Sequence, residues 1–153
     1  MPGKISWLIK NKVIILQYIG DVTIEEIQKV ADYGNPIISG AGAPLVHVIV
    51  DETQMTDHPK NVLQGVKAMN TTLSNPKLGW LYFVSIPSEV ISFVTKMVLS
   101  AARTRYRVVD TLEEAKAALM EADSTLPDLD AMDFATDPIL LYEINGDNVT
   151  DFQ

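Results

Sequence analysis

No cysteine occurs in the 153 residues. This excludes disulfide frameworks, thiolate zinc sites and cysteine nucleophiles. Histidine is nearly as scarce, with only His47 and His58, and there is no His-Glu-x-x-His pattern, so a histidine-rich metal centre is not expected. No Gly-x-Ser-x-Gly elbow, Walker loop or Gly-x-Gly-x-x-Gly fingerprint is present. Gly40-Ala41-Gly42 lacks the later spacing and precedes a strand pattern instead of a helix. No apolar run approaches the roughly 18 residues of a membrane span. The one apolar stretch near the start, Ile5–Ile9, is broken by Lys10 and Lys12, too short for the core of a secretory leader. Together these absences lead to an expectation of a cytoplasmic, non-enzymatic protein with no cofactor, no metal and no membrane span.

Basic charge is also missing from one end. The formal charge is -8, yet residues 1–120 hold all 12 Lys and Arg against 11 Asp and Glu. Residues 121–153 hold nine acidic groups and no basic one. The division predicts a near-neutral domain over 1–120 and an acidic C-terminal extension over 121–153. A net anionic chain does not suit nucleic acid, which requires clustered cations. An apolar fraction of 47% at this length supports one domain, burying roughly 70% of its unfolded surface.

The remaining pattern is regular. Ile5–Ile9 and Val13–Ile19 read as a β-hairpin around Lys10-Asn11-Lys12. Thr23-Ile24-Glu25-Glu26 has capping-box form and opens a helix, which Gly34-Asn35-Pro36 is expected to break or kink. Leu45–Val50, apolar almost throughout, suits a strand covered on both faces, and Asp51–Asp57 reads as a polar loop at its carboxyl end. Pro59 fits the first turn of a second helix, capped by Asp57 or His58, with Val62, Val66, Met69 and Leu73 inward and a stop at Ser74-Asn75-Pro76. Gly79–Val84 is a strand carrying Trp80, Tyr82 and Phe83. Ser85 or Ser88 caps a third helix whose apolar stripe is Val90, Ile91, Val94, Met97, Val98 and Ala101. Tyr106–Val109 is a short strand, and Thr111-Leu112-Glu113-Glu114 is a second capping box opening a helix to about Met120. The order β-β-α-β-α-β-α-β-α predicts an α/β fold with a mixed, mostly parallel sheet of about five strands.

That order resembles the STAS-type domains, in particular the group similar to the sporulation anti-sigma factor antagonist. The resemblance covers about residues 5–120. It rests on Gly20-Asp21-Val22-Thr23 with Glu25-Glu26, on Leu45–Asp51 as a central strand ending in Asp, and on Leu78-Gly79-Trp80 opening the next strand. Arg105-Tyr106-Arg107-Val108-Val109 leading into Thr111-Leu112-Glu113-Glu114-Ala115 completes it. It implies a bacterial regulatory or protein-interaction module. The antagonist branch carries a phosphorylatable residue in Asp-Ser-(Ser/Thr)-Gly where the third strand meets the second helix. Here that stretch is Asp51-Glu52-Thr53-Gln54-Met55-Thr56-Asp57-His58-Pro59, without the tetrapeptide. The resemblance makes Thr53 and Thr56 the candidate acceptor hydroxyls and Asp57 a candidate fixed negative charge, and Thr53, Thr56, Asp57, His58 and Lys60 form the expected partner-binding or regulatory surface. The resembling group also implies an alternative, a carrier or sensor of a small nonpolar ligand. Met69, Met97 and the aromatic strand would serve it, although aromatic residues there are more commonly core.

Three further constellations have two readings each. His47, between Val46 and Val48, is a ligand or base, or more commonly a packed, hydrogen-bonded core histidine. Asp51, Glu52, Asp57 and His58 gather at a strand's carboxyl end, where open α/β sheets place ligands; loop and cap roles are the commoner fate of such residues. Arg103, Arg105 and Arg107 alternate, and with Lys96 they suit an anion, an acidic partner, the chain's own acidic tail, or solvent. Within that tail, residues 121–137 read as a linker, but Ile139–Ile144 is too apolar for a solvating segment. It is expected to dock as a strand on a sheet edge, on its own chain or on a second copy in a homodimer.

Overall fold

A computed structural model describes residues 3–153, the side chain of Val62 excepted. Seven strands form one sheet: β1 (Gly3–Ile9), β2 (Val13–Asp21), β3 (Val46–Asp57), β4 (Leu78–Val84), β5 (Tyr106–Val109), β6 (Ile139–Asn145) and β7 (Asn148–Asp151). Their spatial order is β5-β4-β3-β2-β1-β6-β7. Strands β2 to β5 run parallel, while β1, β6 and β7 pair antiparallel. The α/β class and the mixed sheet are as expected, with seven strands where the pattern predicts about five; both additional strands, β6 and β7, come from the acidic end of the chain.

Helices α1 (Ile24–Gly40), α2 (Val62–Lys67), α3 (Asn70–Leu73) and α4 (Glu89–Ala101) lie on one side of the core, and α5 (Leu112–Ala122) packs on the other. The alternation of β3 assigns the two faces. Val46, Val48 and Val50 enter the core with α1, while Ile49 enters the core with α5.

Several local readings change. The capping box opening α1 is complete: Thr23 Oγ1 accepts from Glu26 N, and Glu26 Oε1 accepts from Thr23 N. Yet α1 runs through Pro36 to Gly40. The carbonyl freed by the proline belongs to exposed Asp32, Asn35 Oδ1 accepts from Asn75 Nδ2 at 2.7 Å, and buried Ile38 holds the last turn in the core. The second helix does not begin at Pro59. Asn61 caps α2 through Gln64 N, and the segment divides at Ala68-Met69 into α2 and α3. Val66 and Met69 are buried and Leu73 half-buried, as read; the side chain of Val62 lies outside the described residues.

The helix α4 is capped by Ser88, but its apolar stripe is wider than the sheet covers. Leu99 and Thr95 are buried, whereas Val90 is 70%, Phe93 64% and Met97 57% exposed. Arg103 does not belong to an alternating strand: it has φ +56° in the turn after α4, and β5 starts only at Tyr106.

Residues 121–137 are more than a linker. Leu129 in the short 3-10 turn Leu129–Ala131 is fully buried, with Leu126, Met132 and Phe134 packed around it on the α5 side. Beyond it, β6 pairs with β1, and a tight turn with Gly146 at φ +60° leads into β7. The part of the acidic segment in β6 and β7 therefore lies at the sheet edge opposite β5, with Lys29 Nζ 2.9 Å from Asp147, and among the described residues no carboxylate of the segment is ion-paired with Arg103, Arg105 or Arg107.

Candidate functional site at the carboxyl end of the third strand

The segment read as a polar loop is the second half of β3, which runs unbroken to Asp57. Its period of two places Glu52 in phase with Val46, Val48 and Val50, hence toward the core under α1 to α4. The ladder to β2 shifts there: Gln17 faces Asp51, and Ile19 faces Gln54. Glu52 and Thr53 thus stand opposite Tyr18 alone, a bulge of the kind that re-aims side chains near functional sites.

Glu52 is only 6% exposed, and its Oε2 has no hydrogen-bond partner. Its Oε1 lies 3.8 Å from His58 Nε2. His58 Nδ1 is 3.1 Å from the carbonyl of Pro59, so Nδ1 donates its N–H there and Nε2 faces Glu52. Burial, then the charge of Asp51, pushes the Glu52 carboxyl up to about 8. The Tyr18 phenol is likewise pushed up, first by burial and then by Glu52 and Glu26. These groups border a cavity of about 20 Å3 whose other walls include Met69, Phe83 and Thr95. That is room for about one water.

A carboxyl protonated in the fold but ionised when unfolded gives stability a definite pH slope. The contribution is fully present below the ordinary Glu value of 4.5 and is lost as pH rises to about 8. Between pH 5 and pH 8 the loss is on the order of 3 kcal/mol. The isosteric Glu52→Gln variant removes this slope, and urea unfolding of both proteins across that range measures it. Parallel pH profiles would show that Glu52 is ionised in the fold.

Next to the cavity, Thr56, Asp57, His58, Pro59 and Lys60 line an open groove of about 370 Å3, whose far wall is Pro87, Ser88, Val90 and Ile91 at the start of α4. Asp57 Oδ1 accepts from His58 N at 3.0 Å. Four of the five residues singled out from sequence therefore share one groove. Thr53 stands apart: its backbone N–H and its hydroxyl both donate to buried Asp51. The exposed row Val90, Phe93 and Met97 adjoins the groove on α4, and Leu63 on α2 is 44% exposed. Sequence reading placed Glu52 in a polar cluster but missed its burial, and it missed the outward face of α4; continuing the alternation of β3 past Val50 is the signal for the first.

The cationic candidates are dispersed. Lys96 is exposed on α4. Arg105 donates from Nη2 to Leu78 O at 3.3 Å and opens on a groove with Lys12, His47 and Asp123. Arg107 borders a different groove with Trp80, Tyr82 and Glu121. His47 is a packed core histidine: Nδ1 accepts from Trp80 N at 2.9 Å, and Nε2 meets Asp123 Oδ2 at 3.0 Å. Among the described residues, no three metal-ligating side chains gather, and no helix is long and apolar enough to cross a membrane.

The architecture is an α/β fold with one mixed, mostly parallel sheet. A solved structure with this fold is SpoIIAA, described as a Bacillus cell fate determinant in its phosphorylated form. It is 13% identical in sequence, and the match covers 76% of this chain and 98% of that one with a TM-score of 0.51. The likeness establishes a SpoIIAA-like fold. No family model and no curated protein matches the sequence.

Proposed function

We propose that this chain is a non-enzymatic regulatory module that binds a protein partner through the groove between the end of β3 and the start of α4. The observation carrying this reading is the continuity of that groove with the exposed Val90, Phe93 and Met97 row. Lys60 in the groove and Lys67 and Lys96 on α2 and α4 are the cations of this face, against the carboxylates Asp57 and Glu89. The surface thus suits a partner that is apolar with an acidic rim. Structural kinship with a protein captured in phosphorylated form makes Thr56 the candidate acceptor. It is exposed in the groove beside Lys60, whereas the Thr53 hydroxyl is engaged by Asp51. A phosphate there would add charge to the surface and change partner affinity. The carrier reading is less favoured, because the cavity among the core side chains is about 20 Å3, far below the roughly 300 Å3 of a ligand pocket, and the larger hollows are open surface grooves.

The test is partner capture by the whole protein, followed by affinity measurement on the captured partner. Phe93→Asp and Lys60→Glu are each expected to weaken binding at least tenfold while leaving the circular dichroism spectrum and melting midpoint near those of the parent. Unchanged affinity in both variants would reject this surface.

A further inference from the structure

A second groove, on the opposite half of the sheet, has a chemistry of its own. It is about 580 Å3 in volume and lies where the carboxyl half of α1 meets β1 and β6. Its walls include Trp7 from β1, Tyr33 and Pro36 from α1, and Tyr142 from β6. The rings of Tyr33 and Tyr142 meet at 5.0 Å between centroids and 56° between planes, which forms an aromatic corner. Tyr33 is 38% exposed. Asp32 lines the same groove and makes no ion pair among the described residues; its Oδ1 accepts from neutral Gln28. Beyond the groove's own lining, the β6–β7 segment carries Glu143 and Asp151, and its Asp147 is paired with Lys29 of α1.

Angled aromatic faces beside an unpaired carboxylate attract a cation that carries an apolar skin. Ring quadrupoles favour positive charge over the face, and a quaternary ammonium sheds water at lower cost than Lys or Arg. A hydrated ammonium or metal ion would gain less from such rings, and a neutral apolar group would gain nothing from Asp32. We infer that this groove is a binding site for a quaternary ammonium group of the trimethylammonium type. The site is independent of the partner surface at residues 56–60 and goes beyond the proposed function.

Choline titrated into the full chain, followed by saturation-transfer NMR and by Trp fluorescence, tests this. The expected result is saturable binding at millimolar or lower choline. Its uncharged isostere 3,3-dimethylbutanol, with a tert-butyl group in place of trimethylammonium, is expected to bind at least tenfold more weakly. Tyr33→Ala is expected to lose tenfold or more in choline affinity, and Asp32→Asn about threefold to tenfold, while Tyr33→Phe retains it. Phosphatidylcholine vesicles and a trimethyl-lysine peptide, run as separate arms, distinguish a lipid headgroup or a modified protein from a free solute as the source. Equal binding of the uncharged isostere, no saturation by 20 mM choline, or undiminished binding by Tyr33→Ala would each overturn the assignment. Lys60→Glu leaves choline binding unchanged, so the failure of one proposal is separable from that of the other.

Discussion

Deleting residues 139–153 is expected to abolish cooperative folding. Those residues read as an appendage by charge, yet β6 pairs with β1 from Gly3 to Trp7. Ile144 is fully buried and Leu141 6% exposed, both in the core beneath α1, and the ring of Tyr142 packs on Tyr33. Loss of large core side chains costs about 2–5 kcal/mol each. Two such losses, with an unpaired β1 edge and its exposed backbone groups, are comparable to the whole stability of a domain, about 5–15 kcal/mol. By contrast, the Lys29–Asp147 pair is exposed on the Asp147 side, and Asp147→Ala should leave stability close to that of the parent. Urea unfolding monitored by Trp fluorescence and circular dichroism compares the three proteins. A truncated chain with a sharp, parent-like transition would mean that β6 and β7 are accessory to the core. The same comparison separates net charge from burial, since Asp147→Ala alters charge and the deletion removes packing.

What the sequence made legible depended on how local the signal was. Thr23-x-x-Glu26 and Ser88 announce helix starts through hydrogen bonds spanning two or three residues, and both are realised. Thr111 caps α5 through Glu114 N, but Glu114 turns its own carboxylate to Asp110 N, one residue earlier than the reciprocal cap requires. Ile139–Ile144 stood out because an apolar run surrounded by carboxylates has no reason to remain solvated.

Where two distant segments decide the outcome, local signals mislead. The polarity of Asp51–Asp57 suggested a loop, but β2 supplies a ladder out to Asp21, so the strand continues and carries Glu52 into the core. The helix α4 is apolar around much of its circumference. Nothing in its own residues tells that Thr95 and Leu99 face inward while Phe93 and Met97 face out; the width of the sheet beneath it does. Leu129 was obscured by the four acidic residues Asp123, Asp128, Asp130 and Asp133 around it. Its burial follows from the empty space beside α5, which only the assembled sheet defines. The aromatic corner at Tyr33 and Tyr142 is the same case, joining residues 109 positions apart.

Gly79→Ala is expected to destabilise the protein by about 3 kcal/mol or more, although adding a methyl to a strand glycine ordinarily stabilises by up to about 1 kcal/mol. An alanine Cβ at this position would lie 2.4 Å from His47 Nδ1 and 2.8 Å from its Cε1. The His47 ring cannot yield. Its Nδ1 receives the N–H of Trp80 at 2.9 Å, which leaves the proton on Nε2 to donate to Asp123 Oδ2 at 3.0 Å. Asp123 is fixed in turn by the backbone and hydroxyl of Thr125 at 2.9 and 2.6 Å. Those hydrogen bonds, Thr125 first and His47 after it, hold the Asp123 carboxyl down at about 2. Its contribution to stability is present above about pH 4 and is lost as the pH falls toward 2. Displacing the ring breaks both imidazole bonds and leaves a buried polar group unsatisfied, the costly direction of the hydrogen-bond balance. A double-mutant cycle isolates the clash. His47→Ala alone should cost about 2–4 kcal/mol, and adding Gly79→Ala to it should cost little more, because the methyl then enters the space the ring has left. Chemical denaturation of the four proteins at pH 7 measures the coupling. Additive costs, or a Gly79→Ala variant within about 0.5 kcal/mol of the parent, would show that the ring moves freely and that the junction between β3, β4 and the end of α5 is not held by His47.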